Sequence, residues 1–165
     1  MWGRRRLNAG AVARGDAWLL PISASRQSLP YSCGVACCGQ IVQFRTGLKF
    51  TDADLAGRYG LKCERGTSYE DMTRILRGET KAEVTRLRRV RREQLAQLLR
   101  AGSPVIAGVA VKGGSHAIVI RGFLNLTGEC SHVVVNDPVM SMSLLSAFDT
   151  VGIALEDALA VQWRL

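Results

Sequence analysis

Residues 27–38 read Gln27-Ser28-Leu29-Pro30-Tyr31-Ser32-Cys33-Gly34-Val35-Ala36-Cys37-Cys38, a glutamine followed six positions later by a cysteine that opens an apolar, helix-forming run. A cysteine in the first turn of a helix lies among backbone N–H groups that have no partner in the helix, at the positive end of the macrodipole. Both favour the thiolate, the reactive form of the side chain. Cys33 is therefore the candidate nucleophile. Pro30 and Ser32 are expected to supply the turn and the cap, and Val35, Cys38, Ile41 and Val42 to form the buried stripe of the helix. Gln27, on the segment leading in, is placed to aim its amide at the reacting atom from beside the Cys33 N–H, which makes two donors for an oxyanion.

Outward from this stretch, the periodicity predicts helices over residues 33–46, 52–59, 69–77 and 92–100, with Thr51 and Ser68 as caps. From Pro104 the texture changes to β-branched runs, predicting strands over 104–111, 116–123, 133–136 and 160–165. Helices first and antiparallel strands after is the α+β pattern, a helical N-terminal half packed on a C-terminal sheet. Residues 1–20 read as a loosely tied extension and residues 21–165 as one domain. With 165 residues, 47% of them hydrophobic, the chain can bury a core without cofactor or staple. No apolar stretch approaches the length of a membrane span, and Arg14 and Asp16 interrupt any secretory signal after Arg4, Arg5 and Arg6.

The five cysteines lack the paired spacing of a zinc site, so no metal is expected, and the odd count fits a reducing compartment. Cys37 and Cys38 read as small buried hydrophobes, with a redox pair of Cys33 and Cys37 as the minor alternative. Cys63 and Cys130 read as structural. The net charge of +8 is concentrated at Arg86, Arg88, Arg89, Arg91 and Arg92. With aromatics at 6% and no stacking platform, nucleic acid is an unfavoured partner, and a solvated face or a surface for an acidic protein is expected.

A cysteine nucleophile needs a base, and the chain has two histidines. His116 follows a Gly-Gly turn and opens an apolar strand. His132 lies five residues before Asp137, so the two point to opposite faces of one strand. A hairpin of residues 116–123 with 130–137, closed by a turn at 125–128, would set His116 directly opposite Asp137, where a carboxylate orients the imidazole and stabilises its cation. A one-residue bulge would hand that place to Asn136. The candidate site is thus Cys33, His116 and Asp137, with Gln27 as oxyanion donor and Asn136 as the alternative third member.

The stretch 27–36, with Gln27 and Cys33-Gly-Val-Ala, then His116-Ala-Ile-Val and Asp137-Pro138, resembles the bacteriocin-processing cysteine peptidases, papain-like domains that cut leader peptides after a double glycine. The resemblance covers about residues 27–140. It implies a papain-like fold, no cofactor, a peptide or protein substrate, and the roles just given to Cys33, His116, Asp137 and Gln27. Without a transporter segment, a free-standing interbacterial toxin or effector is expected, exported by a specialised machine and held in check by an immunity protein. Leader processing is the alternative. An amidase, deamidase or transglutaminase using the same three residues, and a basic binding module with an inert cysteine, are the competing classes.

Overall fold

The computed structural model describes residues 12–14, 17–125, 131–149 and 157–163 of the chain. In order these form β1 (Val12–Arg14), β2 (Ala17–Leu19), α1 (Cys33–Thr46), α2 (Asp52–Tyr59), α3 (Tyr69–Thr80), β3 (Glu83–Arg88), α4 (Arg92–Arg100), β4 (Val105–Val111), β5 (Gly114–Leu124), β6 (His132–Asp137), β7 (Met142–Ala147) and β8 (Asp157–Gln162). All described strand pairs are antiparallel, in the order β1-β2-β5-β4-β8-β3, with β6 on β5 and β7 on β6. β5 is the hub. One of its edges takes β6; the other takes β4 along Gly114–Ile120 and then β2 along Gly122–Leu124.

The four helices start where the periodicity puts them, and two of the four starts carry the side-chain caps that stop fraying. Thr51 and Asp54 form a reciprocal capping box on α2, and the Ser68 hydroxyl accepts from the Asp71 N–H on α3. α3 runs to Thr80 rather than Arg77 and closes on Lys81 in the left-handed region, φ 58°. α1 differs from its expected single stripe. Residues 34–42 are buried on every side, because the helix lies wedged against α2, α3 and β5. Ser32 is the N-cap residue but does not cap with its side chain.

Four strands escaped the periodicity, two of them, β1 and β2, within the stretch expected to be a loose extension. Residues 83–88 form the edge strand β3, hidden in sequence by its arginines: Val84 is buried while Arg86 and Arg88, on the same face further along, are exposed. Met142–Ala147 forms β7, whose serines and exposed apolar residues give no clean alternation. Ala17–Leu19 pairs with the end of β5 through Gly122, where any Cβ would lie 2.6 Å from the Trp18 carbonyl oxygen. The last strand spans Asp157–Gln162 rather than 160–165. Most of the turn expected at 125–128, and Cys130, lie outside the described residues.

Of the arginine cluster, Arg86 is paired with Asp157 and Glu70 and stacks on Tyr69, and Arg92 is paired with Asp149 over Phe148. Arg88, Arg89 and Arg91 are exposed. Among the described residues no helix is long and apolar enough to cross a membrane.

Candidate active site

Three of the sequence candidates converge where the start of α1 meets the β4–β5 hairpin. Cys33 is the first residue of α1 and is half-buried. The Ala117 backbone N–H points at its sulfur at 3.4 Å, and the His116 ring interacts with the thiol closely enough to shift the pKa of both groups. On its other side, His116 Nε2 lies 2.9 Å from Asp137 Oδ1, which leaves Nδ1 for the sulfur. Both side chains are about 17% exposed. Asp137 Oδ1 also accepts from the Val139 N–H at 2.8 Å, so the acid is held by its own turn and cannot swing away.

The His116–Asp137 contact forms in a register different from the expected one. β6 pairs with β5 so that Asn136 is opposite Val119. Continued, this puts Asp137 opposite Ile118, two residues from His116, a diagonal neighbour on one face rather than a direct one. A bulge at Arg121 decides the outcome. Near the turn, His132 pairs with Leu124 and Val134 with Gly122; beyond the bulge, Val135 pairs with Ile120. Uninterrupted, the first register would carry Asn136 onto the His116 face. The extra residue restores Asp137 to it, the reverse of the effect expected for a bulge. Arg121 then staples the irregularity, donating to the Leu20 carbonyl at 2.9 Å and to Ser143 at 3.0 Å.

Asn136 is therefore not the orienter. Fully buried, it points the other way, its amide nitrogen donating to the Ile22 carbonyl and to Gln40 Oε1 on α1, and its oxygen accepting from Ser143. His132 bonds Ser131 and stands apart from the site.

Burial raises the Cys33 pKa, but the hydrogen bonds from His116 and the Ala117 N–H, together with the imidazole's charge, outweigh it, and the thiol lies below its ordinary value of 9.0. The hydrogen bond to Cys33 raises His116, burial opposes it, and the bond to Asp137 adds to the rise above 6.5. The two shifts arise from one coupled pair, and each favours the charged form of its group, thiolate and imidazolium. Cys37 and Cys38 move the other way: complete burial pushes both thiols well up, so they are inert hydrophobes.

Gln27 is next to the site but not bonded to it. Its backbone N–H donates to the Pro138 carbonyl at 2.8 Å, tying it to the turn after Asp137. Its side-chain nitrogen donates to the Leu29 carbonyl at 3.1 Å, while the amide oxygen is buried without a partner. Gly34 explains itself by crowding: a Cβ there would lie 2.9 Å from both Met72 Sδ and Thr67 Cβ, so only glycine lets this wall close over the helix that begins at Cys33. Thr67, absent from the sequence candidates, lies on this wall with its hydroxyl buried and unpartnered. Asp52, also missed, fastens the loop before Cys33. It carries no local signal, because its partners lie more than 19 residues away.

The model of the Peptidase_C39 like family matches residues 19–148, four-fifths of the chain and every residue of this site. The chain belongs to that family. It is thus a papain-like cysteine peptidase, a hydrolase. A search of curated protein sequences finds no significant match. Among solved structures, the fold resembles a C39-like peptidase from Bacillus anthracis (TM-score 0.64, 14% identity, covering 88% of this chain and 97% of that one). It also resembles the peptidase domain of Streptococcus ComA, a bi-functional ABC transporter involved in a quorum-sensing pathway (0.66, 13%, 87% and 99%). A third resemblance is to a double-glycine-motif protease from an AMS/PCAT transporter in complex with the leader peptide (0.64, 13%, 88% and 94%). At these identities the fold is what is shared.

Proposed function

We propose that this C39-like peptidase cuts peptide bonds after a Gly-Gly pair, with Cys33 as nucleophile, His116 as base and then acid, Asp137 as orienter, and Gln27 with the Cys33 N–H as oxyanion donors. The observation that carries the reading is the convergence of Cys33, at a helix N-terminus, with a His116 ring whose Nε2 lies 2.9 Å from Asp137 and whose proximity lowers the thiol's pKa. His116 holds the Cys33 proton, and the thiolate attacks the scissile carbonyl carbon. The oxyanion is met by the Cys33 N–H and by the Gln27 amide, once that amide turns from Leu29. His116 gives its proton to the leaving amine, and water, deprotonated by His116, hydrolyses the thioester.

The Gly-Gly preference rests on the family and on the likeness to a double-glycine protease held with its leader peptide. The test is to incubate wild type and Cys33→Ala with a bacterial lysate and map new N-termini by mass spectrometry. Termini after Gly-Gly with wild type alone are expected. Cuts without that preference would remove the specificity claim, and a gain of about one dalton or an isopeptide cross-link would make the enzyme a deamidase or acyl transferase instead. The target identifies the setting: a secreted peptide's leader means maturation, and an essential protein of a competing cell, relieved by a co-purifying inhibitor, means an effector. The exposed Arg88, Arg89 and Arg91 are proposed to dock an acidic protein substrate. Charge reversal that leaves cleavage of short peptide and full substrate equally fast would refute this.

A further inference from the structure

The five residues between Gln27 and the helix that begins at Cys33 contain a bend no ordinary residue prefers: Tyr31 adopts the left-handed region, φ 58°. Left to itself such a loop would relax, and Gln27 would drift relative to the nucleophile. One carboxylate opposes that. Asp52, the first residue of α2 and 3% exposed, accepts from the Ser28 N–H with both oxygens (2.9 and 2.8 Å), from the Ser28 hydroxyl at 2.6 Å, from the Leu29 N–H at 2.9 Å and from the Ser32 hydroxyl. The Ser32 hydroxyl shares its one proton between Asp52 and the Leu29 carbonyl at 2.7 Å, the same oxygen that accepts from the Gln27 side chain. The network thus begins at the Gln27 amide and ends at the residue before Cys33. Nothing in it touches His116 or Asp137.

We propose that Asp52 is the positioning residue of the oxyanion site, holding residues 28–32 in the conformation from which the Gln27 amide, once turned from Leu29, and the Cys33 N–H can meet one oxyanion. The proposal rests on the peptidase reading given above. It separates two functions within one site: the sheet and α1 set the thiolate–imidazolium pair, and α2 sets the oxyanion donors. Asn at this position keeps the shape but replaces one acceptor with a donor that would face the N–H groups of Ser28 and Leu29, so the carboxylate, not its volume, is what matters.

The test compares wild type, Asp52→Asn, Gln27→Ala and the double variant on one Gly-Gly peptide, alongside amide hydrogen exchange of residues 27–32. Loss of an oxyanion donor acts on the transition state, so Asp52→Asn is expected to lower kcat by about 10- to 100-fold with KM changed less than about threefold. The double variant should fall no further than Gln27→Ala alone, and the Ser28 and Leu29 amides should lose protection. The pH profile of Cys33 alkylation should keep its midpoint. Additive losses in kcat, a moved alkylation midpoint, or unchanged protection would each overturn the proposal. If Asp52→Asn does not fold, Ser32→Ala, which keeps the carboxylate on its backbone partners, should give the same changes at smaller size, and wild-type behaviour there would overturn it equally. A wild type that cuts no peptide refutes the peptidase reading, and the exchange measurement still decides whether Asp52 holds the loop.

Discussion

Replacing Asp137 with asparagine isolates the charge of the acid from its shape. The Asp137 oxygen lies 2.9 Å from His116 Nε2, with both side chains largely out of water. Two unit charges about 4 Å apart interact by about 4 kcal/mol at an effective dielectric of 20, an upper bound for a site at the edge of a sheet. Allowing for residual solvent, the loss is about 1.4 to 3 kcal/mol, which lowers the imidazolium pKa by about one to two units. The sign follows from the raised pKa of His116: its cation is favoured by Cys33 and Asp137, so removing an anion releases the proton at lower pH. The active ion pair exists between the pH at which it forms, set by the lowered Cys33, and the pH at which His116 gives up its proton. Asp137→Asn should therefore pull the alkaline limb of kcat/KM down by about one to two units and leave the acid limb nearly in place. The assay is kcat/KM on a Gly-Gly peptide from about pH 5 to about pH 10, paired with iodoacetamide labelling of Cys33 followed by mass spectrometry. Cys37 and Cys38 will not interfere, being buried with raised pKa values. An alkaline limb unmoved in Asp137→Asn would refute the reasoning, since the carboxylate would then contribute no charge to the pair.

Other outcomes follow from the same geometry. Cys33→Ala should abolish peptide cleavage with an unchanged melting curve, and retained cleavage would remove the nucleophile assignment. Asn136→Ala leaves the Gln40 and Ile22 oxygens without their donor in the core, so it should destabilise by about 2–4 kcal/mol in urea titration while keeping the pH limbs of activity. Gly34→Ala must push apart α1 and α3 at Met72 and Thr67, costing about 1–3 kcal/mol by thermal melting and lowering activity together with it. Burial would raise the Asp52 carboxyl, but its hydrogen bonds to Ser28, Ser32 and Leu29 hold it below the ordinary 3.8. Its contribution is thus full above that value and lost as pH falls through the lower folded one, so Asp52→Asn should flatten the acid side of the stability curve. Equal acid sensitivity in wild type and variant would contradict this.

The helices were legible because their signals are local: apolar spacing, Thr51 and Ser68 at the starts of α2 and α3, and turn residues between them. The place of Cys33 at a helix start was legible for the same reason, since it is defined by its immediate neighbours. Of the two histidines, His116 was singled out by the Gly-Gly turn before it and by its place opposite an acid, and the structure sets its ring beside Asp137. β3 and β7 were not legible, because an edge strand buries too little to impose alternation on its sequence. The site's third member illustrates the limit most clearly. Asp137 was named from a hairpin register that does not occur, and it reaches His116 because the bulge at Arg121 corrects the parity of a different one. Register depends on how a strand satisfies both of its edges, and β5 answers to β6 on one side and to β4 and β2 on the other. The sequence by itself determined the chemistry available, a cysteine, a histidine and an acid on elements that can meet. Only the tertiary structure decided which acid faces the ring and which distant carboxylate, Asp52, fastens the loop, because both depend on contacts between residues about twenty positions apart or more, for which the chain carries no local pattern.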